Sequence, residues 1–236
     1  MKFDNATAWE HEYRNPKFLA LGTEPLSDVK DFMRWVKKLV RQNPQDFAAP
    51  ISDWKALDLG CGNGKNLHYL VENYVASGIG YDISRTAIEI AHKRADGLAI
   101  DYSVRSIGEV FPLENHSIDV VLDVTSSNSL NESERTILLG EIARVLKPSG
   151  YLFVRALCKD GDTNAKNLIK QFPGQEYDTY TLGTTGITER VFSKEDFEKT
   201  YAEFFKIVYL EKTSGYQKWG NQSYKRNYWI AYAVKK

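Results

Sequence analysis

Residues 56–66 read Ala-Leu-Asp-Leu-Gly-Cys-Gly-Asn-Gly-Lys-Asn, a short apolar run that ends in an acid and three glycines at alternate positions. This is the pattern of a strand entering a tight turn with exposed backbone. Gly60, Gly62 and Gly64 lack a Cβ, so the chain can take positive φ there and a ligand can lie directly against the main chain. The helical pattern Asn66-Leu67-His68-Tyr69-Leu70-Val71 follows, and it brings the free N–H groups of a helix start beside the ligand. A dinucleotide-binding turn has the spacing G-x-G-x-x-G, with its third glycine letting the helix pack close to a pyrophosphate. Here the pattern D-L-G-C-G-N-G is one residue tighter, with Asp58 facing the loop. A carboxylate in that position repels a pyrophosphate and favours a ligand carrying an ammonium or sulfonium charge. The competing reading is a glycine-rich turn that binds nothing.

The surrounding chain decides between these. From residue 55 to 156 strand-like runs (Ala56–Leu59, Ser77–Tyr81, Ala99–Val104, Ile118–Val124, Tyr151–Ala156) alternate with helix-length segments near 66–75, 84–95 and 132–146, the pattern of parallel βαβ units. Lys147-Pro148-Ser149-Gly150 is read as a helix stop and a turn into the fifth strand. Later, Phe204–Lys212 and Tyr224–Val234 are long, aromatic and β-branched, joined by the polar stretch 213–223 containing Gly215 and Gly220, and read as an antiparallel hairpin. The expected fold is α/β: a mostly parallel seven-stranded sheet with helices on both faces and the last strand antiparallel. One domain over 1–236 is expected. Residues 1–50, with the amphipathic segment Val29–Val40, form an N-terminal helical lid or extension; residues 157–190 form an insertion expected to cover the acceptor pocket.

At this point the chain resembles the class I S-adenosylmethionine-dependent methyltransferases, in its glycine motif, in a strand order expected to be 3-2-1-4-5-7-6, and in two further segments. Phe111-Pro112-Leu113-Glu114-Asn115-His116-Ser117-Ile118-Asp119 is similar to the "LPFPDNSFD" region that leads into the fourth strand. Trp9-Glu10-His11-Glu12-Tyr13-Arg14 resembles a "W-x-x-x-Y" lead segment that folds over the cofactor. The likeness covers most of residues 9–156 and, in outline, the hairpin, and it is nearest to the small-molecule group that includes thiopurine and tellurite-resistance methyltransferases.

The resemblance implies S-adenosylmethionine as cofactor, held by Tyr13, Asp58, Gly60, Cys61, Gly62, Asn66, Asp82, Ile83, Ser106, Ile107 and Asp123. Asp82, at the end of the second strand, is suited to accept both ribose hydroxyls, or alternatively to cap the following helix together with Ser84. Many relatives have an aspartate near Ser106 that meets the adenine amino group; its absence leaves adenine to Ser106, the Ile107 backbone and Ile83. Asp123-Val-Thr-Ser-Ser-Asn128 marks where methyl donor and acceptor meet, or a polar loop capping the next helix. The rings of Trp9 and Tyr13 suit a sulfonium, or pack on the core. His11 is the one histidine considered as a general base. The region 123–128 is neither the signature of amine-methylating nucleic-acid enzymes nor a Pro-Cys nucleophile, and Cys158 reads as a small buried hydrophobe.

Bulk properties narrow the partners. Lys plus Arg equals Asp plus Glu at 31 each, so the net charge is zero and there is no overall basic field for a polyanion. A late basic cluster of Lys212, Lys218, Lys225 and Arg226 reads as a solvated edge. Two cysteines give no disulfide framework or zinc site. The polar start Met1-Lys2-Phe3-Asp4-Asn5 has no apolar signal region, and no run approaches the ~18 apolar residues of a membrane span. A cytoplasmic enzyme acting on a small-molecule methyl acceptor, with no membrane or nucleic-acid partner and no metal, is therefore expected. The alternatives are an RNA or protein methyltransferase, a nicotinamide-dependent oxidoreductase, and a non-catalytic binding module.

Overall fold

The glycine turn is fed by β1 (Lys55–Leu59), whose residues 56–59 are all buried, as a strand covered on both faces requires. The computed structural model describes residues 5–17, 19, 21–219 and 222–236, with the side chains of 217–219 and 222 excepted. β1 pairs in parallel with β2 (Ser77–Asp82) on one side and β4 (Ile118–Val124) on the other. β3 (Ile100–Val104) extends the sheet beyond β2, and β5 (Leu146–Cys158) extends it beyond β4. The C-terminal strands β8 (Phe205–Trp219) and β9 (Gln222–Lys235) complete the order β3-β2-β1-β4-β5-β9-β8, with β9 antiparallel to both neighbours. This is the expected seven-strand order, the final strand being the antiparallel one. A separate two-stranded sheet, β6 (Thr179–Thr181) with β7 (Thr188–Arg190), lies in the insertion.

Helices cover both faces because alternate strand residues point to opposite sides. One face carries Ala56, Val120, Leu122 and Phe153 beneath α2 (Ser27–Gln42), α3 (Lys65–Asn73), α4 (Arg85–Arg94) and α6 (Thr163–Gln171). The other carries Leu57, Leu59, Val121 and Leu152 beneath α5 (Glu132–Val145) and α7 (Lys194–Ala202). The amphipathic N-terminal segment is α2: Val29, Phe32, Met33 and Val36 are fully buried, with the Phe32 ring 5.2 Å from that of Phe153 and 5.0 Å from that of Tyr232. Each such side chain contributes ~1.5–3 kcal/mol by leaving water. The remaining N-terminal helix is α1 (Asn5–Arg14).

Two sequence expectations change. Lys147–Gly150 is not a turn after the fifth helix. That helix stops at Val145, β5 begins at Leu146, and the register shift between Ile118 and Val120 absorbs the extra residues as a bulge. Residues 213–223 are likewise not a connection: pairing runs from Thr213↔Tyr228 to Trp219↔Gln222. Ladder hydrogen bonds between two long strands satisfy this polar backbone, so it needs no apolar side chains to stay extended. Gly220 and the start at 1–4 lie outside the described residues, as does the side chain of Lys218 in the basic cluster. Arg226 of that cluster is buried.

The sheet order reverses between β1 and β4: the chain moves outward through β2 and β3, then returns to lay β4 on the other side of β1. In open α/β sheets the crevice at the carboxyl ends of such strands is where ligands bind.

Candidate functional site

A cavity lies at that reversal, lined by Gly60 after β1, Asp82 and Ile83 after β2, Arg105, Ser106 and Ile107 after β3, and Val124, Thr125 and Ser126 after β4. Its remaining walls come from α1 and the segment after it (Asn5, Trp9, Tyr13, Leu19), from the segment leading into α5 (Ser129, Leu130) and from the first turn of α5 (Glu134).

The glycine loop needs its glycines. Gly60, Gly62 and Gly64 have φ of 66°, 56° and 76°. At Gly62 a Cβ would lie 2.6 Å from the Tyr13 hydroxyl, so removing the side chain lets α1 close over the loop. Asp82 fixes the loop from the next strand: its Oδ2 accepts from Gly62 N at 2.9 Å and its Oδ1 from Ser84 N at 2.9 Å. Burial raises this carboxyl to about 6 against the opposing pull of those backbone N–H groups. Each oxygen keeps a lone pair for a further donor. The helix-capping alternative goes to Ser84, whose Oγ accepts from Ala87 N at 3.1 Å.

Asp58 lies behind the cavity wall, only 1% exposed, with neither oxygen meeting a hydrogen-bond partner and the Leu67 N–H as its favourable neighbour. Burial, then the charges of Asp82 and Asp123, push it up to about 8. A protein does not keep an uncompensated carboxyl under a cavity without a stability cost, and a cationic occupant is what would offset it.

Asp123 is fully buried and committed to its own turn. Its Oδ1 accepts from Ser126 Oγ at 2.6 Å and Ser127 N at 3.1 Å, and its Oδ2 from Tyr201 OH at 3.4 Å. The cavity surface expected of Asp123 is supplied instead by Val124, Thr125 and Ser126, with Thr125 held at φ 56°. A β-branched residue in that region stores ~1–3 kcal/mol and marks a turn shaped by its surroundings.

α1 is docked by Glu10. Its carboxylate accepts from Ser84 Oγ (2.7 Å), Thr86 N (3.1 Å) and Thr86 Oγ1 (2.8 Å) at the start of α4, and pairs with Arg14 (2.8 Å). Burial opposes its ionisation, but these hydrogen bonds win and hold the group at about 2. A lowered carboxyl keeps its contribution above the ordinary value near 4.5 and loses it only as pH falls toward 2, so the clasp is intact at neutral pH. Glu10→Ala is expected to release α1, seen as faster proteolysis within 5–26 and at least fivefold faster ligand dissociation. Unchanged rates in both assays would remove Glu10 from this role.

The model of the methyltransferase domain family matches residues 56–150, which carry the glycine loop, Asp82 and the β4 exit. That match, together with the sheet order, supports a class I S-adenosylmethionine-dependent methyltransferase domain over residues 56–150. The chain is similar to the phthiotriol/phenolphthiotriol dimycocerosates methyltransferase 1 of Mycobacterium ulcerans, 36% identical over 103 residues, which are 43% of this chain and 37% of that one. It is also similar to the ubiquinone biosynthesis O-methyltransferase of Thiobacillus denitrificans, 27% identical over 65% of this chain and 61% of that one. Each match spans less than two thirds of the relative's length. A solved S-adenosylmethionine-dependent methyltransferase of Methanosarcina mazei superposes with a TM-score of 0.68 at 22% identity, covering 81% of this chain and 96% of that one, and supports the fold.

S-adenosylmethionine is this methyltransferase family's cofactor, and the residues fit it. Asp82 faces the cavity with acceptor capacity left for hydroxyls, the side-chain-free Gly60 lets a ligand approach the backbone, and the buried Asp58 carboxyl, without hydrogen-bond partners, is a group whose ionised form a cationic ligand would favour. Of the residues read from the sequence, the structure brings Tyr13, Gly60, Asp82, Ile83, Ser106 and Ile107 to the cavity. Cys61, Gly62, Asp58 and Asp123 are not among its lining residues. Asn66 is elsewhere engaged, its Oδ1 accepting from Leu26 N at 3.1 Å and tying the N-terminal extension to α3. His11 is exposed, two residues from Trp9 and Tyr13 and so on another side of α1, and does not line the cavity. The insertion borders α1 through Thr188 N and Asn5 Oδ1 (3.4 Å) without lining the cavity. Asn5, Arg105, Ser129, Leu130 and Glu134 are lining residues that sequence reading missed; no local pattern distinguishes them from ordinary loop and helix positions. Both cysteines are buried, and burial pushes the Cys158 thiol up to about 12, which suits packing and not nucleophilic attack. Among the described residues no cluster of His, Cys, Asp and Glu is placed to hold a metal, and no helix is long and apolar enough to cross a membrane.

Asp82→Ala is expected to weaken S-adenosylmethionine binding by ~1–3 kcal/mol through lost hydrogen bonds and a loosened glycine loop. Unchanged affinity by calorimetry would separate Asp82 from the ligand.

Proposed function

We propose that this chain transfers the methyl group of S-adenosylmethionine to an oxygen, nitrogen or sulfur atom of a small-molecule acceptor by in-line displacement. The observation that carries this reading is the cavity itself: a crevice at the sheet reversal, walled by the Asp82 carboxylate and side-chain-free Gly60, and covered by the Trp9 and Tyr13 rings, 6.5 Å apart. When bound, the cofactor supplies a methyl group already activated on a sulfonium. The residues then have little acid–base work, and their task is to align donor and acceptor. Asp82 holds hydroxyls, the aromatic rings favour a cation, and Thr125 and Ser126 present polar atoms on the β4 side. Ser126 Oγ is fixed by its bond to Asp123, which pre-organises that wall. No histidine is among the residues that line the cavity, in keeping with an acceptor whose lone pair is available without a dedicated base.

The relatives support a small-molecule or lipid acceptor: those that the chain is similar to are named for phthiotriol dimycocerosates, for a fatty acid and for ubiquinone biosynthesis. Neutral overall charge supports the same class over RNA. The test is transfer of labelled methyl to pooled small metabolites, lipids, bulk RNA and protein. Label in the small-molecule or lipid fraction is expected. Label confined to RNA or protein, or tight cofactor binding with no transfer to any pool, would overturn the reading.

A further inference from the structure

At the β3 end of the cavity the wall consists of Arg105, Ser106 and Ile107, and it has no acid of its own. Ser106 Oγ accepts from Gly108 N at 3.2 Å, which turns its oxygen toward its own loop, and Ile107 offers an apolar side chain. Among the residues lining the cavity the carboxylates are Asp82 and Glu134. Asp82 belongs to the β2 end, where both its oxygens hold backbone N–H groups. Glu134 comes from the opposite side, on the first turn of α5. Its stem lies flat on the β3 loop: a Cβ at position 108 would stand 2.8 Å from Glu134 Cβ and 3.4 Å from its Cδ, so glycine at 108 is what admits it. Its direction is also fixed. Oε2 accepts from Asn131 N at 2.9 Å while the Asn131 side chain accepts from Glu134 N at 2.9 Å, a reciprocal capping box. Oε1 makes no hydrogen bond with the described residues, which leaves one acceptor on a side chain that lines the same cavity as Ser106 and Ile107.

We propose that Glu134 reads the exocyclic amino group of the cofactor's adenine and thereby sets the chain's preference for an adenosyl over a 6-oxopurine nucleoside. A negatively charged acceptor suits an amino donor and repels a carbonyl oxygen at the same ring position. A site built to meet a donor rejects the analogue that lacks it, because its own polar group is left unpaired. The first-turn charge and the capping box are ordinary helix features. What goes beyond them is the position of this side chain on the cavity wall, over a glycine that makes room for it.

The inference rests on the S-adenosylmethionine reading, and one experiment separates the two. Calorimetry on the full chain would compare S-adenosylhomocysteine with its 6-oxo counterpart, S-inosylhomocysteine. At least a tenfold preference for the adenine form is expected. In Glu134→Gln the amide oxygen keeps the bond from Asn131 N and the amide N–H₂ faces the cavity, so the preference should fall below threefold or invert. Glu132→Gln removes the same charge from the same helix turn at an exposed position and should keep the tenfold ratio. Because each ratio is measured within one variant, a loss of helix stability does not alter it. A Glu134→Gln ratio equal to that of the unaltered chain overturns the role of Glu134. Failure of S-adenosylhomocysteine to bind the unaltered chain overturns the cofactor reading beneath it.

Discussion

Replacing Asp58 by Asn is expected to stabilise the ligand-free chain above pH 6 and to weaken S-adenosylmethionine binding about 10–100-fold at pH 8. Both effects follow from one buried carboxyl without hydrogen-bond partners. Its folded value is about 8 against an ordinary 3.8, so the folded chain keeps a proton that the unfolded chain has released. Where the folded state binds more protons, stability falls as pH rises; this penalty therefore begins near pH 4 and grows until about pH 8. Asn has nothing to ionise, and a gain of roughly 2 kcal/mol at pH 8 relative to the unaltered chain is expected after discounting for relaxation around the site. A cationic ligand reverses the preference. It favours the ionised carboxylate, so binding below pH 8 expels a proton, and affinity climbs with pH before levelling off above about 8. Charges ~5–10 Å apart at an effective dielectric near 20 interact by about 2–3 kcal/mol, which sets the size of the affinity loss. Thermal melts from pH 5 to 9 and calorimetry in two buffers of different ionisation enthalpy check both. If Asp58→Asn has the melting profile and pH-dependent affinity of the unaltered chain, Asp58 is not the charge beneath the site.

Gly60→Ala is expected to cost about 2–5 kcal/mol of stability and to abolish measurable cofactor binding. Two separable effects contribute. At φ 66° any Cβ strains the backbone by ~1–2 kcal/mol. The added atom would also stand 2.3 Å from Ser126 Cβ. Neither side can yield cheaply: Gly60 follows directly on central strand β1, and Ser126 is pinned by Asp123. Overpacking of this kind costs a further ~1–3 kcal/mol. Gly97 isolates the strain, since its φ is 78° but a Cβ there meets nothing within 4 Å. Gly97→Ala should therefore lose only ~1–2 kcal/mol, and equal losses in the two variants, measured by denaturant unfolding, would show that the Ser126 contact is not what demands glycine at 60.

Such contrasts show where sequence reading reaches its range. The strand order, the glycine turn and the placing of Asp82 depend on features written locally. Alternating apolar runs specify strands, glycines at alternate positions specify a turn with positive φ, and an acid at a strand end falls at the carboxyl edge of a parallel sheet. Asn66 and Asp123 carried the right chemistry at plausible positions, yet their partners decide their roles. Asn66 is claimed by Leu26, and Asp123 by Ser126, Ser127 and Tyr201. Glu10 and Glu134 read as ordinary helical glutamates because the groups that give them meaning, Ser84 and Thr86 in one case and the β3 loop in the other, are remote in the sequence.

By itself the sequence determined a doubly covered parallel sheet and a glycine loop suited to a cationic nucleoside ligand, because hydrophobic periodicity and glycine's conformational freedom act over a few residues. Only the tertiary structure decided which acids face the cavity and which hold its walls. Hydrogen bonds and desolvation depend on atoms that folding brings together from segments as distant as residues 5–14 and 123–134, and nothing in either segment alone records that meeting.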